Sequence, residues 1–318
     1  MVPLDRLLDE AELRRQLADD VRAGLARTPK AVRSRWVWDA HASELFDRIV
    51  ELPSYDLPRR ERAILEERAA TIATAVRPET VLELGSGSSP RTSVLLDAMV
   101  PAGLRRLVAM DVSEDALRGA LPRLAERYPG LDISGVVGDF ERQLGEVETS
   151  GRTLVLLLGS TIGALEPGER AALLAAIAGA LESNDTFLLG VDLVKPEAEI
   201  RAAYAHPGEL SGGLSANLLP IVNRELGADF DPGRFQPESL WNADEERLET
   251  VVRSLEDQVV TIPDVGRFEL GAGETIRTQV STKFRREGIE RELAAAGLRL
   301  VEWWTDSGEG FAVALARS

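Results

Sequence analysis

Val81-Leu82-Glu83-Leu84-Gly85-Ser86-Gly87-Ser88-Ser89 carries a short apolar run through a carboxylate into a Gly-x-Gly turn. The run reads as a buried strand and the turn as the loop that enters a helix. Glycine belongs in such a loop because a β-carbon would block close approach of a ligand to the backbone. A dinucleotide fingerprint requires a third glycine at position 90; Pro90 stands there, so a nicotinamide oxidoreductase is disfavoured. Glu83 adds a chemical argument, since a carboxylate beside the loop suits a cationic ligand better than it suits phosphates.

Further along the chain the same rhythm repeats. Apolar runs at 107–112, 133–137, 154–158 and 187–191 alternate with segments of helical periodicity. Continuous rather than alternating apolarity implies strands covered on both faces, hence a mostly parallel sheet with right-handed crossovers. Asp111 ends the second strand 24 residues after Gly87, close to the roughly 20-residue spacing at which an acidic residue meets a ribose hydroxyl pair. The third strand ends in Gly138-Asp139-Phe140, where an aspartate is placed to accept from an adenine amine and a phenylalanine to stack. A cation-seeking carboxylate, a ribose acid and an adenine site together point to S-adenosylmethionine. Glu83, Gly85, Ser86, Gly87, Asp111, Asp139 and Phe140 are the residues expected to hold it.

Before this core, residues 1 to about 76 read as helical. Leu13, Leu17, Val21 and Leu25 recur every four residues, Leu45, Ile49 and Leu52 follow Ser43 as a cap, and a third helix follows Pro58. Residues 197–285 break the alternation with a long helical piece at 214–226 and two β-rich segments at 248–262 and 267–284. A helix at 286–296 and strands at 300–305 and 311–316 then resume it. The link 306–310 is too short for a parallel crossover, so the last two strands form an antiparallel hairpin, which points to a methyltransferase core rather than a dehydrogenase. The expected fold is α/β: a Rossmann-like methyltransferase core with an antiparallel C-terminal hairpin, plus a second, smaller α/β lobe. The expected division is 1–60 as a helical part contributing to the substrate lobe, 61–196 and 286–318 as the core, and 197–285 as the inserted substrate-binding lobe.

Composition narrows the function class. With no cysteine and only His41 and His206, the chain is poorly supplied with metal ligands and is read as metal-free. A net charge of −16 repels polyanions, which disfavours nucleic acid and favours a small-molecule substrate. No apolar run is long enough to span a membrane and no secretory leader is recognisable, so a cytoplasmic protein without membrane contact is expected. His41 reads as a helix-capping or solvated residue and His206 as a loop residue. Trp303 and Trp304 read as packing residues, and Arg59-Arg60-Glu61-Arg62 as a solvated helix face of mixed sign.

The wording of several segments carries further information. Glu83-Leu84-Gly85-Ser86-Gly87-Ser88, Gly159-Ser160-Thr161-Ile162-Gly163, Gly190-Val191-Asp192-Leu193-Val194-Lys195, Val280-Ser281-Thr282-Lys283-Phe284 and Trp303-Trp304-Thr305-Asp306 resemble the histidine-specific Nα-methyltransferase family of ergothioneine biosynthesis. The likeness runs from about Trp36 to the C-terminus. It implies a monomer that methylates the α-amine of an amino acid held between two lobes. It also adds Arg91, Gly159 and Ser160 to the cofactor residues, and places Trp38, Tyr55, Ala164, Tyr204, Thr250, Gln279 and Ser281 at the substrate.

Four of those substrate positions depart from the family. Trp38 replaces a tyrosine, Ala164 an asparagine that grips the α-amino and carboxylate end, Gln279 a glutamate facing the imidazole, and Thr250 a methionine. Glutamine offers no charge, and a missing amide leaves a polar end unsatisfied at a cost of about 1–3 kcal/mol. These changes predict a substrate other than histidine, with a neutral or aromatic side chain; L-histidine is the alternative. A protein that binds S-adenosylmethionine without turnover is the rival from another class, opposed by the intact glycine and acidic positions.

Overall fold

The structure, a computed structural model, describes residues 2–87, 91–205, 210 and 212–318, the side chain of Arg91 excepted. In chain order it begins with β1 (Leu4–Arg6), α1 (Glu10–Ala26), β2 (Lys30–Ala31), α2 (Ala40–Val50), α3 (Leu57–Val76), β3 (Thr80–Leu84), α4 (Arg91–Met99), β4 (Arg106–Asp111) and α5 (Glu114–Arg127). Then come β5 (Asp132–Val137), α6 (Phe140–Gln143), β6 (Thr153–Leu157), α7 (Pro167–Ala180), β7 (Thr186–Asp192) and α8 (Glu197–Tyr204). The remainder comprises α9 (Gly213–Ala216), α10 (Leu218–Leu226), β8 (Phe235–Asn242), β9 (Arg247–Ser254), β10 (Gln258–Ile262), β11 (Gly266–Leu270), β12 (Thr275–Thr282), α11 (Arg286–Ala295), β13 (Arg299–Thr305) and β14 (Phe311–Arg317). These elements group into two units. Unit 1 comprises Met1–Leu8, Asp56–Val194 and Lys283–Ser318, and unit 2 comprises Asp9–Tyr55 and Lys195–Thr282.

Unit 1 is built on a sheet in the order β1-β5-β4-β3-β6-β7-β14-β13. Every pair from β1 to β7 is parallel, and β14 joins β7, and β13 joins β14, antiparallel. Every residue of β3, β6 and β7 is buried, as a sheet covered on both faces demands. Leu82, Val108, Val155 and Phe187 pack there with Ile177 of α7 and Leu293 of α11. The chain grows from β3 through β4 to β5 and then reverses to β6 and β7. Loops diverge where such an order reverses, so the C-terminal ends of β3 and β6 are where a fold of this kind is expected to bind a ligand.

Unit 2 carries a second sheet, β2-β12-β9-β8, and the separate hairpin β10-β11. Along β12 buried and half-buried residues alternate, the pattern of a strand with only one face in a core. That core contains Leu17 and Val21 of α1, Leu219 and Val222 of α10, and Val252 and Ile276 of the sheet.

Several details correct the sequence expectations. The N-terminal region is not purely helical: Leu4–Arg6 pairs in parallel with β5, and Lys30–Ala31 with β12. Neither segment is long enough to show a period in sequence. Asp39, not Ser43 or His41, caps α2, its carboxylate accepting the Ala42 N–H at 3.0 Å, and the Ser43 hydroxyl donates to the Asp39 carbonyl one turn in. His41 is exposed. The helical piece at 214–226 is two helices that meet at Asn217, whose amide donates to the Val37 carbonyl and to Asp39. β8 escapes a reading by apolar periodicity because it is an edge strand that tolerates Pro237 and several polar residues. Trp303 packs against the unit 1 core. His206 lies outside the described residues.

Candidate functional site

In unit 1 the loop after β3 turns on two glycines in the left-handed region, Gly85 at φ 68° and Gly87 at φ 52°. A side chain at Gly85 would be strained by its backbone rather than by crowding, as the nearest atoms, Phe140 Cε1 and Thr161 Cγ2, lie 3.6 and 3.9 Å from where a β-carbon would stand. Asp111, at the tip of β4, pins this loop: Oδ2 accepts the Gly87 N–H at 2.8 Å and Oδ1 the Ser113 N–H at 2.8 Å. Burial pushes its carboxyl above the ordinary value of 3.8, and the N–H groups of Ser113, Gly87 and Val112 oppose that rise in part. Glu83 is buried and accepts the Thr92 hydroxyl of α4, so its carboxylate braces the loop against the following helix.

Asp139 caps α6 by accepting the Glu141 N–H at 3.0 Å, and Phe140 lies partly buried against the unit 1 core. After β6, Gly159 at φ 74° and Ser160 at φ 57° make two consecutive left-handed residues. Ser160 Oγ accepts the Asp192 N–H at 3.0 Å. Asp192 in turn pairs with Lys283 at 2.8 Å, both side chains fully buried. Ala164 ends the 3-10 turn Thr161–Ala164 and is half-buried. Arg91 opens α4, and its side chain lies outside the described residues, as do Ser88, Ser89 and Pro90.

The donors and acceptors fit an adenosyl ligand that carries a positive sulfur. Ser86 Oγ is buried and has no hydrogen-bond partner among the described residues, so a polar ligand at this loop would satisfy it. Beside it stand the Asp111 carboxylate and the glycine turn. Among the described residues no three His, Asp or Glu side chains converge to hold a metal ion, and no helix is long and apolar enough to cross a membrane.

In unit 2, six residues expected at the substrate form two connected groups. Trp38, Phe46, Tyr55 and Tyr204 make a chain of edge-to-face rings with centroids 5.4, 6.0 and 5.8 Å apart. Tyr204 then shares a hydrogen bond of 2.7 Å with Ser281 Oγ. Ser281 and Gln279 alternate on the half-buried face of β12, and Gln279 stands directly across from Thr250 of β9. Phe46 was missed by the sequence reading; its position in α2, three residues before the buried Ile49, was one usable signal.

Unit 1 corrects part of the stretch read as a solvated helix face: Arg59 and Arg62 are exposed as expected, but their neighbours are not. Glu61, read as part of a solvated face, is fully buried, and its Oε1 accepts the Gly159 N–H at 2.7 Å. Arg60 is half-buried, bonded to Asp56 at 2.6 Å and Asp306 at 2.8 Å. The mixed charges hid a helix face that turns inward.

The family model described as "Histidine-specific methyltransferase, SAM-dependent" matches residues 17–318. The chain is 44% identical over 302 residues to the histidine N-alpha-methyltransferase of Mycobacterium tuberculosis, covering 94% of each chain. Identity to the histidine N-alpha-methyltransferase of Mycolicibacterium smegmatis is also 44%, with the same coverage. The N-methyltransferase imqF of Aspergillus flavus is 27% identical over 91% of this chain and 82% of its own. These relatives do not support the expectation of a substrate other than histidine. By the match of its sequence over residues 17–318, the chain belongs to the family of histidine-specific, S-adenosylmethionine-dependent methyltransferases and is an N-methyltransferase.

Proposed function

We propose that this enzyme methylates the α-amine of L-histidine. The observation that carries the proposal is the 44% identity, over 94% of both chains, to two histidine N-alpha-methyltransferases. The Tyr204 and Ser281 hydroxyl pair, with Tyr55 edge-on to the Tyr204 ring, supports it as a preformed polar cluster with an aromatic wall.

Bound S-adenosylmethionine supplies a methyl group on positively charged sulfur, already activated for displacement by an amine. Gly85, Ser86, Asp111 and Asp139 would hold that cofactor in unit 1. Tyr55, Tyr204, Gln279 and Ser281 of unit 2 would orient the amino acid. The chain's task is alignment and exclusion of water, and no covalent nucleophile is required. The attacking nitrogen must lose its ammonium proton before transfer, as only its lone pair can attack.

A second reading, a neutral or aromatic amino acid, is favoured by Gln279 opposite Thr250, which offers no charge, and by Ala164, which offers no amide. One experiment separates the two. Purified protein is incubated with S-adenosylmethionine and each proteinogenic amino acid, and products are read by mass spectrometry. Methylated histidine as the dominant product is expected; dominant methylation of tryptophan, phenylalanine or another neutral amino acid would replace the histidine reading with the second.

A further inference from the structure

We propose that Glu61 is a positioning residue for the cofactor, its buried carboxylate holding the Gly159–Ser160 turn in place beside the glycine loop. The proposal rests on the reading of that loop and of the Gly159–Ser160 turn as the cofactor site.

Three observations converge on it. A fully buried carboxylate is costly unless its hydrogen bonds compensate, and Glu61 Oε1 accepts the Gly159 N–H at 2.7 Å. The turn it grips is one the chain resists. Ser160 at φ 57° is a non-glycine residue in the left-handed region, directly after Gly159 at φ 74°, and such a pair persists only where its surroundings hold it. Ser160 is held on its other side by the Asp192 N–H, so two neighbouring elements fix two consecutive residues.

The third observation is a glycine with a reason. Gly190 lies within β7, where all seven residues are buried and a side chain would ordinarily be preferred. A β-carbon there would fall 2.1 Å from Glu61 Oε1 and 3.3 Å from the Gly159 nitrogen. The strand therefore gives up a side chain to let the carboxylate through. The turn continues into Thr161, whose methyl stands 3.9 Å from where a β-carbon of Gly85 would be. Displacing Glu61 should thus move the wall of the cofactor loop without touching the amino-acid residues of unit 2.

The test measures S-adenosylhomocysteine affinity by calorimetry, the KM for each substrate and the melting temperature, for wild type, Glu61→Gln, Glu61→Asp and Asp111→Asn. Glu61→Gln keeps the shape without the charge; Glu61→Asp keeps the charge but withdraws it, and carries the test should the glutamine variant not fold. Weakening of S-adenosylhomocysteine binding by about tenfold is expected, the difference between a charge-assisted and a neutral hydrogen bond. The KM for S-adenosylmethionine should rise with it, while the KM for the amino acid at saturating cofactor stays within about twofold. A folded Glu61 variant whose melting temperature falls while its affinity stays within about twofold of wild type would reduce Glu61 to a packing role and overturn the proposal. If Asp111→Asn weakens binding in that case, the cofactor site itself stands; if none of the three variants alters affinity, the site reading falls as well.

Discussion

Whether a glutamine or a glutamate faces an imidazole decides how strongly the ring is held, because a hydrogen bond to a charged group is worth roughly twice a neutral one. Gln279 sits on the half-buried face of β12 beside Ser281, so a carboxylate introduced there would keep access to water and incur little burial cost. Gln279→Glu is therefore expected to lower the KM for L-histidine by roughly five- to tenfold, about 1 kcal/mol, and to leave the KM for neutral amino acids unchanged or higher. Steady-state kinetics with histidine and tryptophan checks this, and an unchanged histidine KM would place Gln279 away from the ring. Residues at strand tips are the part of the candidate site that sequence alone can propose. Gly85, Gly87 and Asp111 announce themselves by type and spacing, and in the structure the aspartate holds the Gly87 N–H. Glu61 could not be read that way, since it is flanked by three arginines and only the fold reveals which side of α3 is inside.

Among the elements, the C-terminal hairpin shows how a short link can be made rigid. Asp306 Oδ1 accepts the N–H groups of Gly310 and Phe311 at 2.8 and 2.7 Å, and Oδ2 accepts Gly308 at 3.1 Å and Arg60 at 2.8 Å. Burial pushes the Asp306 carboxyl up, but the Phe311 and Gly308 N–H groups and the Arg60 guanidinium outweigh it and hold the group below its ordinary 3.8. A depressed folded-state value means that the ionised group contributes stability above the ordinary value, and that this contribution is lost as pH falls through the folded-state value. Asp306→Asn should cost about 1–3 kcal/mol at neutral pH, since the buried Gly310 and Phe311 N–H groups and the half-buried guanidinium lose their charged acceptor. It should also flatten the stability curve below about pH 4, which chemical denaturation at stepped pH would show. Equal acid sensitivity in variant and wild type would assign the acid limb to other carboxylates. The hairpin was legible because five residues cannot carry a parallel crossover. β1 and β8 were not, being respectively three residues long and an edge strand with a proline, so neither displays a hydrophobic period.

On the scale of the whole molecule, the strand order carries the functional argument. A run of alternating strands and helices fits several orders equally well in sequence, and only packing selects the reversal between β3 and β6. Placing the cofactor at that reversal has a measurable consequence. A ligand that binds only the folded state stabilises what it touches by RT ln(1 + [L]/Kd), about 2.7 kcal/mol at one hundred times Kd, which slows exchange through the stabilised opening about 100-fold. S-adenosylhomocysteine at that concentration should protect the amides of unit 1 at that reversal, Gly87 and Gly159 foremost, while β12 and β9 of unit 2 keep their rates. Adding L-histidine should then extend protection to β12 around Gln279 and Ser281. Hydrogen exchange read by mass spectrometry distinguishes the two stages. Protection by S-adenosylhomocysteine that appears first on β12 and spares the Gly85–Gly87 loop would move the cofactor to the other unit, and the assignment of Asp111 and Ser86 would fall with it.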